Sequence, residues 1–167
     1  MSIMDPLREE HAGLLPHIDG LRTAADEVGA VPLEELKGLV ADSFRFLVHH
    51  LIPHATAEDK VLYPVVERVM GAPGATATMS RDHVEVDRLT HDLSDLQARL
   101  DEPAGLSGYL ACDLRRVLYG LYALVSVHFA KEEELYVPLL ESRLTAEEAG
   151  ELFRRMEEVA GTTHHPA

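Results

Sequence analysis

Two stretches decide the fold: His54-Ala55-Thr56-Ala57-Glu58-Asp59, running on into Leu62-Tyr63-Pro64, and His128-Phe129-Ala130-Lys131-Glu132-Glu133, running on into Leu135-Tyr136-Val137-Pro138. Each sets a histidine and a glutamate four residues apart, one helical turn along the same face. Upstream of each lies a helical segment with a histidine near its start, His11 and His83. The repeat predicts two similar hairpins, each a short helix followed by a long one. That is an all-α, up-down-up-down four-helix bundle with pseudo-twofold character.

Punctuation along the chain sets the helix ends. Asp5-Pro6 pairs an N-cap acceptor with a proline at the first helical position, so helix 1 runs from there to about Val28, stopped by Gly29 and Pro32. Helix 2 runs from about Leu33 to Met70, kinked at Pro53 and Pro64, and ends at Gly71-Ala72-Pro73-Gly74. Helix 3 covers about Ala77 to Leu100, closed by Asp101-Glu102-Pro103. Helix 4 covers about Leu106 to Leu144, with Pro138 near its end. Thr145-Ala146-Glu147-Glu148 reads as a capping box opening a short C-terminal fifth helix. No segment alternates like a strand. The expected organisation is one domain over residues 1–161 and a flexible tail over 162–167 that contains His164 and His165.

The direction of each histidine follows from about 100° of rotation per residue. On helix 4, Leu110, Leu114, Val117, Leu121, Leu124, Val125, Leu135 and Leu139 fall around His128, with Glu132 one turn on. On helix 2, Leu36, Val40, Leu47, Leu51, Val61, Val65 and Val69 surround His54, with His50 and Glu58 one turn to either side. On helix 1, Leu7, Leu14, Leu15, Ile18 and Ala25 share the face of His11. His83 lies at the edge of the stripe formed by Met79, Val86, Leu93 and Leu96. Asp87 turns further outward, towards solvent, and His17, His49 and His91 lie off their stripes.

Glu58 and Glu132 are thereby predicted in a bundle core. A buried carboxylate without a partner costs several kcal/mol, and no Lys or Arg on these stripes is placed to pair with it. A lone core histidine is more often a hydrogen-bonded structural residue, and a single H-x-x-x-E is more often a surface pair. Two such motifs, each centred on an apolar stripe in matching positions of a repeat, point instead to a metal cation. Imidazole and carboxylate suit iron, and facing helices of a bundle are where such sites are built. Tyr63 and Tyr136 read as packing residues with a hydrogen-bonded hydroxyl, and Cys112 as a small buried apolar residue.

Composition narrows the alternatives. A formal charge of −14 excludes a nucleic-acid binder, which needs a basic stripe. No apolar run is long enough to span a membrane, and the N-terminus lacks the pattern of a secretory signal. The single cysteine rules out an internal disulfide, so a reducing cytoplasm is the expected location.

The ordered set His11, His54-x-x-x-Glu58-Asp59, His83, His128-Phe129-x-x-Glu132-Glu133, with its two Leu-Tyr-(x)-Pro continuations, resembles the hemerythrin-like family, the HHE cation-binding domain, over residues 5–144. The resemblance implies two iron ions in an oxo- or hydroxo-bridged di-iron centre. It implies Glu58 and Glu132 as bridges and His11, His54, His83 and His128 as terminal ligands. The oxygen-carrying members place H-x-x-x-H on helix 3, where this chain has Asp87 in the second position. His50 on helix 2 is expected to complete the set in its stead. Ferritin-like di-iron proteins need Glu-x-x-His, and a zinc hydrolase of the H-E-x-x-H type needs that motif; neither occurs. The expected function is binding of dioxygen or a related diatomic ligand, for oxygen binding, sensing, storage or iron handling. An enzyme acting on peroxide or nitric oxide is the alternative, and a metal-free helical interaction module the third.

Overall fold

The computed structural model describes residues 2–163, and every regular element among them is helical. Four helical arms can be followed. The first is α1 (Asp5–Glu27). The second, residues 33–70, runs α2 (Leu33–Phe46), a π-turn (Leu47–Leu51), α3 (Ile52–Ala57), a π-turn (Glu58–Leu62) and α4 (Tyr63–Met70). The third is α5 (Ala77–Leu100). The fourth, residues 108–143, runs α6 (Gly108–Lys131), a π-turn (Glu132–Tyr136) and α7 (Val137–Arg143). Helix α8 (Ala146–Thr163) follows.

Local chemistry accounts for the ends. The α1 helix begins at Asp5 itself, one residue earlier than its expected role as cap. The Asp5 carboxylate accepts from the Ser2 N–H at 2.7 Å. After α4 the chain turns on Gly71, whose φ of 65° favours a residue without Cβ; Ala72 N–H then reaches back to the Glu67 carbonyl at 3.1 Å. Ser107 caps α6 through the Leu110 N–H. The predicted capping box is present at α8: Thr145 Oγ1 accepts from Glu148 N–H, and the Glu148 carboxylate accepts from Thr145 N–H. Residues 162 and 163, expected in the tail, close α8. The tail histidines His164 and His165 lie outside the described residues.

The arms pack in a ring: α1 against α2 and α6, and α5 against α2 and α6. Two hydrophobic clusters fill it. The larger includes Ile18, Leu21, Leu36, Leu47, Leu51, Leu93, Leu114, Leu121 and Phe129. The smaller includes Met4, Leu7, Leu62, Tyr63, Val66, Met79, Val137 and Leu140. Helix α8 packs on α3 and the second π-turn and adds Leu152 and Met156 to the smaller cluster. Arg8 ties α1 to α7 through two hydrogen bonds to Glu141, at 2.6 and 3.0 Å. These bonds hold the Glu141 carboxyl at about 2.

Cys112 is exposed, contrary to expectation. It lies two residues from both Leu110 and Leu114, hence on the opposite face of α6 from these buried leucines. Leu15 and Leu135, expected on the core stripes, are 48% and 61% exposed.

A candidate metal centre between the two cores

The π-turns explain why straightforward helical counting places some side chains and misplaces others. Pro53, Pro64 and Pro138 lack the N–H of a regular helix, and their rings would collide with the carbonyl four residues back. The chain relieves this by one wide turn before each. Ile52 N–H bonds to the Leu47 carbonyl, Tyr63 N–H to Glu58, and Val137 N–H to Glu132, all five residues back. The π-turns at Glu58 and Glu132 match, so the sequence repeat is also a structural one. Within the fourth arm the widened turn moves Leu135 out to solvent and brings Val137 fully inside.

Five polar side chains in the centre are buried to 3% exposure or less: His11, His54, Glu58, His128 and Glu132. With His83, its side chain 9% exposed, they form two groups whose donor atoms lie within reach of a common ion. The first group is His11, His54, Glu58 and Glu132; the second is Glu58, His83 and His128. Glu58 turns Oε1 to His54 Nε2 at 2.9 Å and to His11 Nε2 at 3.7 Å, while its Oε2 lies 3.3 Å from His83 Nε2 and 4.0 Å from His128 Nε2. Glu132 is divided likewise, with Oε2 3.6 Å from His11 Nε2 and Oε1 3.5 Å from His128 Nε2. Each carboxylate therefore offers one oxygen to each histidine pair.

Behind the imidazoles runs a closed ring of carboxylates, each supplied by the preceding arm. Glu10 meets His54 Nδ1 at 2.9 Å, Asp59 meets His83 Nδ1 at 3.0 Å, Asp82 meets His128 Nδ1 at 3.1 Å, and Glu133 meets His11 Nδ1 at 2.7 Å. An ionised carboxylate only accepts, so each Nδ1 carries a proton and each Nε2 is turned inward, where the neutral ring presents a lone pair. This is the outer arrangement that orients histidine ligands in metal proteins. Lys131 in turn binds Asp82.

The inward atoms are left without partners. His11 Nε2, His54 Nε2, both oxygens of Glu58 and Glu132 Oε2 are buried with no hydrogen bond. The 2.9 Å approach of His54 Nε2 to Glu58 is close but not in hydrogen-bonding geometry. Orphaned buried polar atoms cost about 1–3 kcal/mol each, more when charged, and cations seated at the two groups would satisfy all five. Without them, the charges compensate as they can. Burial would raise Glu58, but the nearby His54, His11 and His83 outweigh it and hold the carboxyl well below its ordinary range. Burial would lower His54, but the Glu58 charge and the Glu10 hydrogen bond hold the imidazolium well above its ordinary range. Glu132 is raised by burial and by the charge of Glu58. A bound cation replaces this internal proton economy.

Of the seven residues expected as ligands, the structure brings six together: His11, His54, Glu58, His83, His128 and Glu132. His50 is left outside. Across the first π-turn the inward position passes from Leu47 to Leu51, so His50 falls short of it and is exposed in a surface cleft with His17, Phe46 and His49. Asp87, His17, His49 and His91 are exposed, as their phases indicated. Sequence reasoning assigned no role to Glu10, Asp59, Asp82 and Glu133. Their signal was adjacency, since each sits immediately beside a ligand candidate: Glu10-His11, Glu58-Asp59, Asp82-His83 and Glu132-Glu133. The Tyr63 hydroxyl, expected to be hydrogen-bonded, donates to Glu132 Oε1 at 2.7 Å.

No curated protein and no solved structure matches the chain. The hemerythrin HHE cation binding domain matches it over residues 2–140, the span that carries the site residues of all four arms. The six convergent side chains with their carboxylate ring lie within that match, and the chain belongs to the hemerythrin HHE cation-binding domain family.

Proposed function

We propose that this chain is a non-haem di-iron protein, an up-down-up-down bundle that holds two iron ions and binds dioxygen or a related small diatomic ligand. The proposed ligands are His11, His54, Glu58, His83, His128 and Glu132. The observation that carries the reading is the cluster of inward donor atoms without partners, beside imidazoles already committed at Nδ1. Bundle topology is supported by the order of the two hydrophobic clusters along the chain. The smaller precedes the site on the first and third arms and follows it on the second and fourth, as alternating arms require.

Iron bound here would supply a redox-active centre able to exchange an electron with a small oxidant. The chain's own part is positioning and exclusion. Glu58 and Glu132, each divided between two histidine pairs, are disposed as bridges. Leu51, Ala55, Val86, Val125 and Phe129 wall a cavity of about 10 Å³ against His54, Glu58, His83 and His128. That is about the room one water needs, which argues against any bulky substrate. The aliphatic wall keeps bulk water from the site.

A second reading, an enzyme acting on peroxide or nitric oxide, is favoured by the outward position of His50, which leaves six protein donors where seven were expected. Iron content per chain, measured on aerobically purified protein with its near-ultraviolet spectrum, tests the common premise. About two irons per chain with oxo-bridge absorption supports it. No iron, and none taken up anaerobically as ferrous ion, leaves only the helical interaction module. Exposure of the reduced protein to dioxygen then separates the two: a reversible adduct supports ligand binding, whereas irreversible oxidation with turnover of peroxide supports the enzyme.

A further inference from the structure

Aligned on their prolines, the two halves of the chain do not match tyrosine with tyrosine. Tyr63 stands five residues after Glu58 and immediately before Pro64; the residue five after Glu132 and immediately before Pro138 is Val137. Both donate their backbone N–H to the glutamate carbonyl across a π-turn, and both are buried. Tyr136 is therefore not the structural counterpart of Tyr63. One half of the site carries a phenol where the other carries a methyl-bearing side chain.

The Tyr63 hydroxyl lies 2.7 Å from Glu132 Oε1, 3.1 Å from His128 Nε2 and 3.4 Å from His83 Nε2. The two Nε2 atoms are 3.0 Å from each other. Asp59 and Asp82 hold the Nδ1 protons of these rings, so in the neutral rings both Nε2 atoms face inward as lone pairs. Three acceptors thus crowd one phenolic proton, which can serve only one of them. An ion in contact with His83, His128 and Glu132 would have the Tyr63 oxygen beside it as well. Among the described residues, Tyr63 alone outside the six hydrogen-bonds to these three acceptors.

We infer that the Tyr63 phenolic oxygen is itself a metal ligand, bound to the ion held by His83 and His128 and making the two metal positions inequivalent. This rests on the di-iron reading above. A ferric ion takes the oxygen as phenolate: the O–H bond breaks, the Fe–O bond forms, the proton goes to solvent, and no electron is transferred. The ion held by His11 and His54 gains no such oxygen, because Val137 has none to offer, and it is the one left with a position for an exogenous ligand.

The test is resonance Raman and visible absorption on full-length protein, reconstituted anaerobically with ferrous iron and then oxidised in air, with iron counted on each sample. Wild type is expected to show phenolate ring vibrations and a tyrosinate-to-ferric charge-transfer band, and the Raman modes should shift when the protein is grown on ring-deuterated tyrosine. Tyr63→Phe should lose both signals while keeping at least one iron in two; Tyr136→Phe should keep them. Iron-loaded wild type without phenolate modes would overturn the inference and leave the di-iron reading intact. So would Tyr63→Phe with unchanged bands. Should Tyr63→Phe fail to fold, the isotope shift in wild type decides alone. Wild type that takes up no iron overturns both readings.

Discussion

At the scale of single residues, the site depends on which nitrogen of each imidazole carries the proton. Glu10 fixes this for His54 from the neighbouring arm. Glu10→Gln keeps the size of the side chain but removes the charge, and should weaken metal binding by about 10- to 100-fold, measured by competition with a chelator. Glu58→Gln replaces one of two oxygens, each of which serves one histidine pair, with an amide nitrogen and should cut iron content to below one per chain. His50→Ala, outside the cluster, should leave iron content and affinity unchanged. Loss of iron in that variant would restore His50 to the ligand set and overturn the six-residue assignment. His50 also shows where helical counting gave way. A regular helix through Pro53 would carry His50 inward, and the wide turn before that proline leaves it outside.

At the scale of elements, the π-turns set the angle at which Glu58 and Glu132 enter the core. Each persists because a proline two residues beyond it cannot accept a regular turn. Pro64→Ala removes the ring clash and restores an N–H, so the second arm can tighten to a regular helix. The metal-free chain should be as stable as wild type or more so, while metal affinity falls because Glu58 rotates from its place. Equal affinity in the two proteins would show that the site, not the proline, maintains the turn. Helix α8 raises a separate question, because it lies beyond the family match yet completes the smaller core. Leu152→Ala should cost about 2–5 kcal/mol, lowering the melting temperature by several degrees in thermal denaturation. A change within error would mean that α8 contributes little to folding.

For the whole molecule, proton and metal compete for the same buried atoms. His54 is held well above the ordinary imidazole value of 6.5 in the metal-free chain. Its contribution to stability is full below that value and is lost as pH rises through the raised folded value. Glu58 is held well below the ordinary carboxyl value of 4.5. Its contribution is present above that value and is lost as pH falls through the lowered one. The metal-free chain should therefore be most stable between the ordinary carboxylate and the ordinary imidazole ranges, and should lose stability as pH rises from there through the raised imidazole range. Metal loading requires neutral imidazoles, so it releases protons and its affinity rises with pH over the same interval. Denaturation midpoints of the metal-free chain across pH, with calorimetric proton release on metal addition, check both signs. Metal binding without proton release would contradict the protonation assigned to His54.

The sequence by itself determined the helices, their ends and the repeat, because caps, glycine stops and apolar periodicity act over a few residues. It also determined that His11, His54, His128, Glu58 and Glu132 turn inward, since each lies on an apolar stripe long enough to average out errors of phase. His83, at the edge of its stripe, needed the repeat as support, and only packing drew it in beside Glu58. The partners of each imidazole came from other arms, at separations of 24 to 122 residues. No local pattern encodes a contact across such a distance. Tertiary structure alone likewise decided that Tyr63 rather than Tyr136 enters the site. An extra residue before Pro138 places Val137 where Tyr63 stands in the other half, and the difference becomes visible only when both π-turns are in place.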